Sequence, residues 1–530
     1  MTVGRFETAE AVFSAARRVA EGREDGAEEG PDVNNLLLPN NNNNNNNEER
    51  PLLLVCHDHA GGFHNHELSS SSSSSPTTTT TSSSSSLYTY GHWGETDVFV
   101  YFAHALLVLP PPMYVAAARR AHAAVLGALV VEHEAGRAAL CSLLADVDRT
   151  AAAVDALRRA HGVDGLLLNV EVPVHDIDLG GAHVVARLIE LMTRLRRRGC
   201  AVVWYDAVTS EGELAWQNAV NAKNEVFFHA ADLFFTNYTY TADQVRSSAE
   251  AVRRAGCDAR RVLMGVDVWG RNSFGGGGLQ IGEALRLHRW ASTSSALFAP
   301  AWVHEVDFGV DDWRVVDRML WRIVERDGGF LPRPVTAYPL HTSFDDGRCA
   351  PMHAEGARTG ERRFDLARWS LQPLDPFETC DGDAYDGAVA VRVPGGKHAR
   401  PPLPLLRVAL PAPAHGRGLR VDVAWKEKNR SVLRSDGARL SLHLVLASTH
   451  RLVLPMRAGH ETMPEGDGLL LVPSRVAPKA NGWQLSTWLL GCHEPAVRLL
   501  AASGGIGGLL LACNSEHEML IGLVSIQELS

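Results

Sequence analysis

Asn169 and Glu171 stand two residues apart at the end of an apolar run, Leu166-Leu167-Leu168. On a β-strand alternate side chains share a face, so the amide and the carboxyl point the same way, with Cα atoms about 6.5–7 Å apart. A carboxyl in such a place can donate and take back a proton. An amide beside it can hold a polar group of a substrate but takes no proton at neutral pH. The same pair also reads as a buried, mutually bonded strand end that does no chemistry. Other apolar runs stop in similar residues: His57 and Asp58; Glu132 and Glu134; Trp204, Tyr205 and Asp206; Asn237, Tyr238 and Tyr240; Asp267, Trp269, Arg271 and Asn272; Trp302, His304 and Glu305. Flat rings suit the apolar faces of sugars, and amides and carboxylates suit hydroxyls. HExxH, Walker and GxSxG motifs are absent, which removes the usual support for zinc peptidase, nucleotide hydrolase and serine hydrolase readings.

These polar ends need strands to position them. Apolar runs predict eight strands, at residues 51–58, 98–104, 125–132, 165–171, 201–208, 232–238, 261–269 and 295–305. Helical periodicity fills most gaps between them, at 115–124, 137–160, 183–198, 241–255 and 281–290. That alternation predicts an α/β fold, a (β/α)8 TIM barrel over residues 51–345, with the chemistry at the carboxyl ends of its strands. The main competitor, an open doubly wound sheet, lacks its usual GxGxxG turn after the first strand. Beyond residue 345 the period shortens to two, at 389–393, 419–423 and 440–444. Residues 346–374 read as a connector, and 375–530 as an antiparallel β-sandwich. A carbohydrate-binding role for the sandwich is suggested only by analogy with other barrel hydrolases. Residues 1–50 read as a leader, helical or partly disordered, ending in an Asn run at 40–47. A Ser/Thr tract at 69–86 reads as a low-complexity insertion in the first strand-to-helix connection.

Composition narrows the classes further. A length of 530 residues allows two or three domains, and a net charge of −10 gives no general polyanion-binding footprint, so nucleic acid is not an expected partner. The N-terminus lacks the apolar core and cleavage site of a secretory signal. No uncharged apolar stretch reaches membrane-spanning length, so no membrane insertion is expected. The 8 cysteines are scattered and form no close CxxC pair. That pattern fits reduced thiols in the cytosol better than a disulfide framework, and it speaks against structural zinc.

Chitinase-type glycosidases carry DGxDxDxE on the fourth barrel strand. Here the aligned residues are Asp164-Gly165, then Leu167, Asn169 and Glu171. The last acid is kept and the residue two before it is an amide, an arrangement that resembles the cytosolic endo-β-N-acetylglucosaminidases acting on N-glycans. Val55-Cys56-His57-Asp58 with Gly61-Gly62 is similar to that family's first-strand motif. His92-Trp93 and Asp97-Val98-Phe99-Val100-Tyr101-Phe102-Ala103-His104 are similar to its second. Leu109-Pro110-Pro111-Pro112 and Val125-Leu126-Gly127 with Glu132 resemble its third. Trp204-Tyr205-Asp206, Trp216-Gln217-Asn218 and Asn237-Tyr238 follow the same pattern. So do Met264-Gly265-Val266-Asp267-Val268-Trp269-Gly270-Arg271-Asn272 and Ala296-Leu297-Phe298-Ala299-Pro300 with Trp302 and Glu305. The resemblance runs from about residue 52 to 345 and continues weakly at Ala384-Tyr385-Asp386-Gly387. Tyr114, His133 and Tyr240 stand where the family usually has Trp, which bears on affinity and acceptor choice more than on the reaction.

The resemblance implies a retaining glycosidase that hydrolyses the GlcNAc-β1,4-GlcNAc core of N-glycans, on free oligosaccharides, glycopeptides or glycoproteins. It implies substrate-assisted catalysis through an oxazoline, with Glu171 as acid and base, Asn169 orienting the acetamido group and Tyr205 steadying it. It offers Trp216, Tyr240, Trp269 and Trp302 as sugar platforms, and Asn237, Asp206, Glu132, His92 and Trp93 as further substrate contacts. No metal or cofactor is required by that chemistry. A chitinase-type hydrolase of GlcNAc polymers and a non-catalytic glycan-binding protein remain the alternatives. Asn169 opposes the first, and joint retention of Asn169, Glu171 and Tyr205 opposes the second.

Overall fold

A computed structural model of the chain describes residues 4–21, 50–68, 87–181, 183–395, 401–428, 439–448, 450–456, 468–515 and 518–529. The Asn run and the Ser/Thr tract lie outside the described residues. The chain divides into two compact units, one of residues 1–78 and 95–331, the other of 79–94 and 332–530.

The first unit is a closed barrel of eight parallel strands: β1 (Leu53–His57), β2 (Val98–Tyr101), β3 (Ala124–Glu132), β4 (Gly165–Glu171), β5 (Ala201–Tyr205), β6 (Leu233–Phe235), β7 (Val262–Asp267) and β8 (Ser294–Phe298). Closure is explicit in the pairing, because β8 bonds both β7 and β1, with Ser295 opposite Leu53 and Phe298 opposite Cys56. Strand β4 lies between β3 and β5, and Glu132 stands opposite Glu171 in the β3–β4 register. The expected strands end correctly at Glu132 and Glu171, and the others were too long at their C-terminal ends. β5 stops at Tyr205, and β8 stops at Phe298 before a short helix at Trp302–Glu305. The single helix expected at 137–160 is two, His133–Ala145 and Val147–Ala160, divided at Asp146, whose carboxylate caps the second by accepting from Arg149 N–H.

Period-two alternation sorts β4 cleanly. Leu166, Leu168 and Val170 face the helices and pack with Leu188, Leu191 and Met192 of the helix Val184–Arg197. Leu167, Asn169 and Glu171 face inward. Truncating one such outward leucine to alanine would remove about 2–5 kcal/mol. The Asp164-Gly165 pair at the start of the strand is structural. Arg119 grips Asp164 with two bonds of 3.0 and 2.6 Å, while Val125 N–H also donates to it. At Gly165 an added Cβ would lie 2.2 Å from the Ala201 carbonyl oxygen, so only glycine lets β5 pair this closely.

Residues 4–21 are not a detached leader. Arg5–Phe6 pairs antiparallel with Leu107–Val108, which in turn bonds β3. The helix Ala9–Glu21 buries Ala9, Val12, Ala15 and Ala16, the i, i+3, i+6, i+7 stripe of one helical face.

Besides a two-stranded sheet, the second unit holds two large sheets. One runs Glu378–Asp381, Val389–Val393, Met519–Leu529, Gly418–Glu427, Gln484–Leu490 and Arg475–Pro478, with Leu340–Thr342 added to Met519–Leu529. The other runs Leu403–Leu406, Ile506–Asn514, Arg439–Leu446, Arg451–Pro455 and Gly468–Leu470, with its last pair parallel. One apolar core joins them, with Val391, Val423 and Ile521 from the first sheet and Leu442, Leu444 and Leu509 from the second. The larger segment of the unit begins at Pro332, not 375, and the expected connector contains a hairpin, Ala350–Ala354 with Ala357–Arg363. A three-residue strand such as Leu340–Thr342 is too short to show periodicity, which explains the misplaced boundary. Among the described residues no helix is long and apolar enough to cross a membrane, and all eight cysteines are free thiols.

Candidate active site

Inward-facing residues at the C-terminal ends of the barrel strands line a cavity of about 380 Å³. Glu171 and Asn169 from β4, Glu132 from β3 and Tyr205 from β5 meet there, with Asn237 and Trp216 from the following loops. Asn169 is only 4% exposed, and its Nδ2 donates to Glu171 Oε2 at 3.1 Å. Its Oδ1 is buried and finds no hydrogen-bond partner among the described residues.

Burial pushes the Glu171 carboxyl above the ordinary range; the Asn169 bond pulls it down, the charge of Glu132 pushes it up again, and a bond from Trp216 opposes that. The net direction is upward, which favours a protonated acid. Glu132 Oε2 takes a 2.8 Å bond from His104 Nδ1. Burial lowers the pKa of His104, but the bond and charge of Glu132 outweigh it and raise it overall. Asp58, on the same wall, is raised mainly by burial.

Across the cavity the Tyr205 hydroxyl donates to Asn237 Oδ1 at 2.8 Å. Asn237 Nδ2 in turn donates to Asn218 Oδ1 at 2.9 Å. Burial, then the charges of Glu171 and Asp206, hold Tyr205 protonated far above its usual value. Arg271 also reaches the cavity wall, its guanidinium fork held on Asp267 at 2.7 and 3.0 Å.

Several expected substrate contacts lie elsewhere. Asp206 is fully buried; it accepts from Gln217 N–H, Asn218 N–H and Asn224 Nδ2 at 3.1, 2.7 and 2.8 Å. It pins the loop that carries Trp216 and has no oxygen left facing a ligand. Burial outweighs those donors, together with the backbone N–H of Asn237, and raises its carboxyl to about 7. Tyr240 is buried too, stacked on Phe274 with its hydroxyl 2.7 Å from His288 Nε2, so neither ring face is open to a sugar. Trp93 is enclosed, its indole N–H donating to the Tyr90 carbonyl, and it groups with His92 in the second unit. A fully covered indole cannot stack on a ligand, and half-buried His92 packs near the Tyr90 ring. Trp269, 41% exposed, and Trp302 line a separate open groove beside the Gly270–Gly278 loop. Gly278 is required there: its φ is +54°, and an added Cβ would meet the Trp302 ring at 2.5 Å.

The lining also includes Cys56, Phe102, Leu167, Phe235, Thr239 and Phe298, none of which the polar strand ends flagged. A usable signal was present: stepping back by two from Asp58, Glu171 or Asn237 reaches Cys56, Asn169 and Leu167, and Phe235.

The family model for glycosyl hydrolase family 85 matches residues 70–351, more than half of the chain. The chain is 33% identical over 316 residues to cytosolic endo-beta-N-acetylglucosaminidase 1 of Arabidopsis thaliana, covering 58% of this chain and 45% of that protein. It is 28% identical over 463 residues to cytosolic endo-beta-N-acetylglucosaminidase of Gallus gallus, covering 84% of this chain and 59% of that protein. The chain thus spans about half the length of the curated relatives it matches. In fold it is similar to the glycoside hydrolase domain of Endo-D from Streptococcus pneumoniae R6, with a TM-score of 0.62 at 15% identity, over 99% of this chain and 82% of that one. With the barrel closed and the family pattern spread along it, the chain belongs to glycosyl hydrolase family 85.

Proposed function

We propose that the chain hydrolyses the β-1,4 bond between the two GlcNAc residues of the N-glycan core, leaving one GlcNAc on the acceptor side. The observation that carries this reading is the pairing of a raised carboxyl, Glu171, with a buried amide whose Oδ1 has no partner among the described residues. An unbonded buried acceptor costs about 1–3 kcal/mol, which a substrate N–H would recover. A 2-acetamido N–H is such a donor. The names of the relatives, all endo-beta-N-acetylglucosaminidases, support the same substrate class.

In this reading Asn169 Oδ1 accepts the acetamido N–H and turns the acetamido oxygen toward the anomeric carbon. That oxygen attacks as Glu171 protonates the leaving glycosidic oxygen, giving an oxazolinium ion that keeps the N–H and a free hydroxyl on the departing GlcNAc. Glu171, now a carboxylate, takes a proton from water as the water opens the oxazolinium ion at the anomeric carbon, which restores the neutral acetamido group with the anomeric configuration retained. Tyr205, its hydroxyl hydrogen fixed on Asn237, turns its oxygen lone pairs toward the acetamido group while positive charge builds on it. Burial, with the charge of Glu132 adding to it, favours the protonated form of Glu171, and Trp216, 39% exposed beside Glu171, offers a ring to a sugar face. N-glycans on glycopeptides, glycoproteins or free oligosaccharides are the proposed substrates. The cytosol is the proposed location, supported by the names of the relatives and by eight free thiols.

Mass spectrometry of a high-mannose glycopeptide before and after incubation tests the reading. One GlcNAc left on the Asn supports it. Loss of the whole glycan would indicate an amidase, and cleavage of chitin oligomers with the glycopeptide untouched would indicate a chitinase-type enzyme.

A further inference from the structure

The loop after β1 carries the sequence His57-Asp58-His59, then His64, His66 and Glu67. Its imidazoles and one carboxylate gather on the protein side of the loop. Ligand atoms of His59, His64 and Glu67 all lie within 4.8 Å of one another. His304, from the helix after β8, adds a ring nitrogen 3.2 Å from His59 Nε2.

Glu67 is only 2% exposed. Its oxygens accept from the Tyr101 and Tyr114 hydroxyls at 2.6 Å each and from His64 N–H at 3.1 Å. All three donors are neutral, and among the described residues no lysine or arginine pairs with it. A buried carboxylate is ordinarily paired with a cation or coordinates one.

Orientation points the same way. His64 Nε2 lies 2.8 Å from the His59 carbonyl oxygen, which can only accept, so Nε2 carries the proton and Nδ1 carries the lone pair. A metal-ligating histidine typically donates its other N–H to a carbonyl in this manner, and ligating carboxylates are themselves held by hydrogen bonds, as Tyr101 and Tyr114 hold Glu67.

We propose that His59, His64 and Glu67 bind one divalent transition-metal ion, with zinc the best match to a two-nitrogen, one-carboxylate set. His304 or water completes four-coordination. Zinc bonds of about 2.0–2.2 Å place donor atoms about 3.3 Å apart, so separations of up to 4.8 Å close by at most about 1.5 Å on binding. The ion takes no part in hydrolysis. It neutralises Glu67 and clamps the β1 loop, which also supplies Asp58 to the cavity. Most of the donor set lies in the segment between Gly62 and Leu68, where the sequence offered histidines at uneven spacing without any familiar zinc motif.

The test uses the full chain, stripped with a chelator, reloaded by dialysis against zinc or cobalt, and washed. Elemental analysis should find one equivalent per chain, thermal melting should shift upward with zinc, and cobalt should give the absorption of a four-coordinate site. His64→Gln, at a half-buried position, should weaken zinc binding at least tenfold and abolish the shift. Tyr114→Phe, which removes one bond to the ligating carboxylate, should weaken binding about tenfold, the low end for such supporting groups. Wild-type protein that retains far less than one equivalent and shows no zinc shift would overturn the proposal. So would a His64→Gln variant that binds as tightly as wild type. Should Tyr114→Phe fail to fold, the His64→Gln comparison decides alone.

Discussion

Asn169 and Asp206 close neighbouring strands at the same end of the barrel, and both are buried, yet they do opposite things. Asp206 has three donors at 2.7–3.1 Å and spends its carboxyl on holding the loop of Trp216 and Asn218. Asn169 spends its Nδ2 on Glu171 and keeps Oδ1 unbonded among the described residues, on the cavity wall. Residue type and strand position do not separate a chemical group from a scaffold. Internal hydrogen-bond satisfaction does: the satisfied group builds, and the unsatisfied one awaits a ligand.

The largest effect should come from Glu171→Gln, which keeps shape but cannot cycle a proton. Turnover of a glycan should fall by about 10²–10⁴-fold with glycan binding still measurable by calorimetry. Near-normal turnover would move the acid to Glu132 and dissolve the contrast.

Asn169→Ala should cost about 10²–10³-fold on the natural glycan, the range for losing one positioned polar group at a developing charge. A preformed glycan oxazoline enters after the step that needs Asn169, so the variant should still pass it to water or a GlcNAc acceptor. Product formation from both donors, followed by chromatography, is the measurement. Equal loss with both would make Asn169 a support for Glu171, a second Asp206 in effect.

Glu132→Gln removes a charge that helps to hold the Glu171 carboxyl up. The alkaline limb of kcat/KM, where the acid loses its proton, should therefore move to lower pH, with a severalfold loss at neutrality. An unmoved limb would assign the limb to a different group.

The smallest effect on activity, and a clear one on stability, belongs to Asp206. Its folded pKa of about 7 lies above that of an unfolded aspartate, about 3.9. The native state then binds the extra proton, so this contribution is complete below about pH 4 and is lost as pH rises through about 7. Asp206→Asn has no such slope. The unfolding free energy of wild type minus variant should fall with rising pH by roughly 1.4 kcal/mol per unit across that window. A flat difference would mean that the three donors compensate the burial of the charge in full.

Much of this was legible in the chain. Continuous apolar runs disclosed the eight strands because a barrel strand is covered on both faces, and period two placed Leu167, Asn169 and Glu171 together. What stayed hidden depends on partners distant in sequence. Tyr240 looks like a sugar platform until His288 and Phe274 close over it. Trp93 looks equally available, and it is enclosed in the other unit. Asp206 reads as a hydroxyl partner until residues 217–224 wrap its carboxyl. Strand ends were overrun because a polar residue beyond the last ladder bond still alternates correctly. The helix within residues 4–21 was expected but its docking was not, because a single amphipathic helix carries no record of which surface it will cover.

The order of synthesis gives that last feature a further consequence. The helix Ala9–Glu21 packs on Val147–Ala160, and Arg5–Phe6 pairs with Leu107–Val108. At 5–20 residues per second, the docking partner is complete roughly 7–28 s after the helix itself has been made. Throughout that interval Val12 and its alanine neighbours stand without their final cover. The helix thus precedes its cover by the whole interval, and during translation its apolar stripe is available to any chaperone that binds such faces.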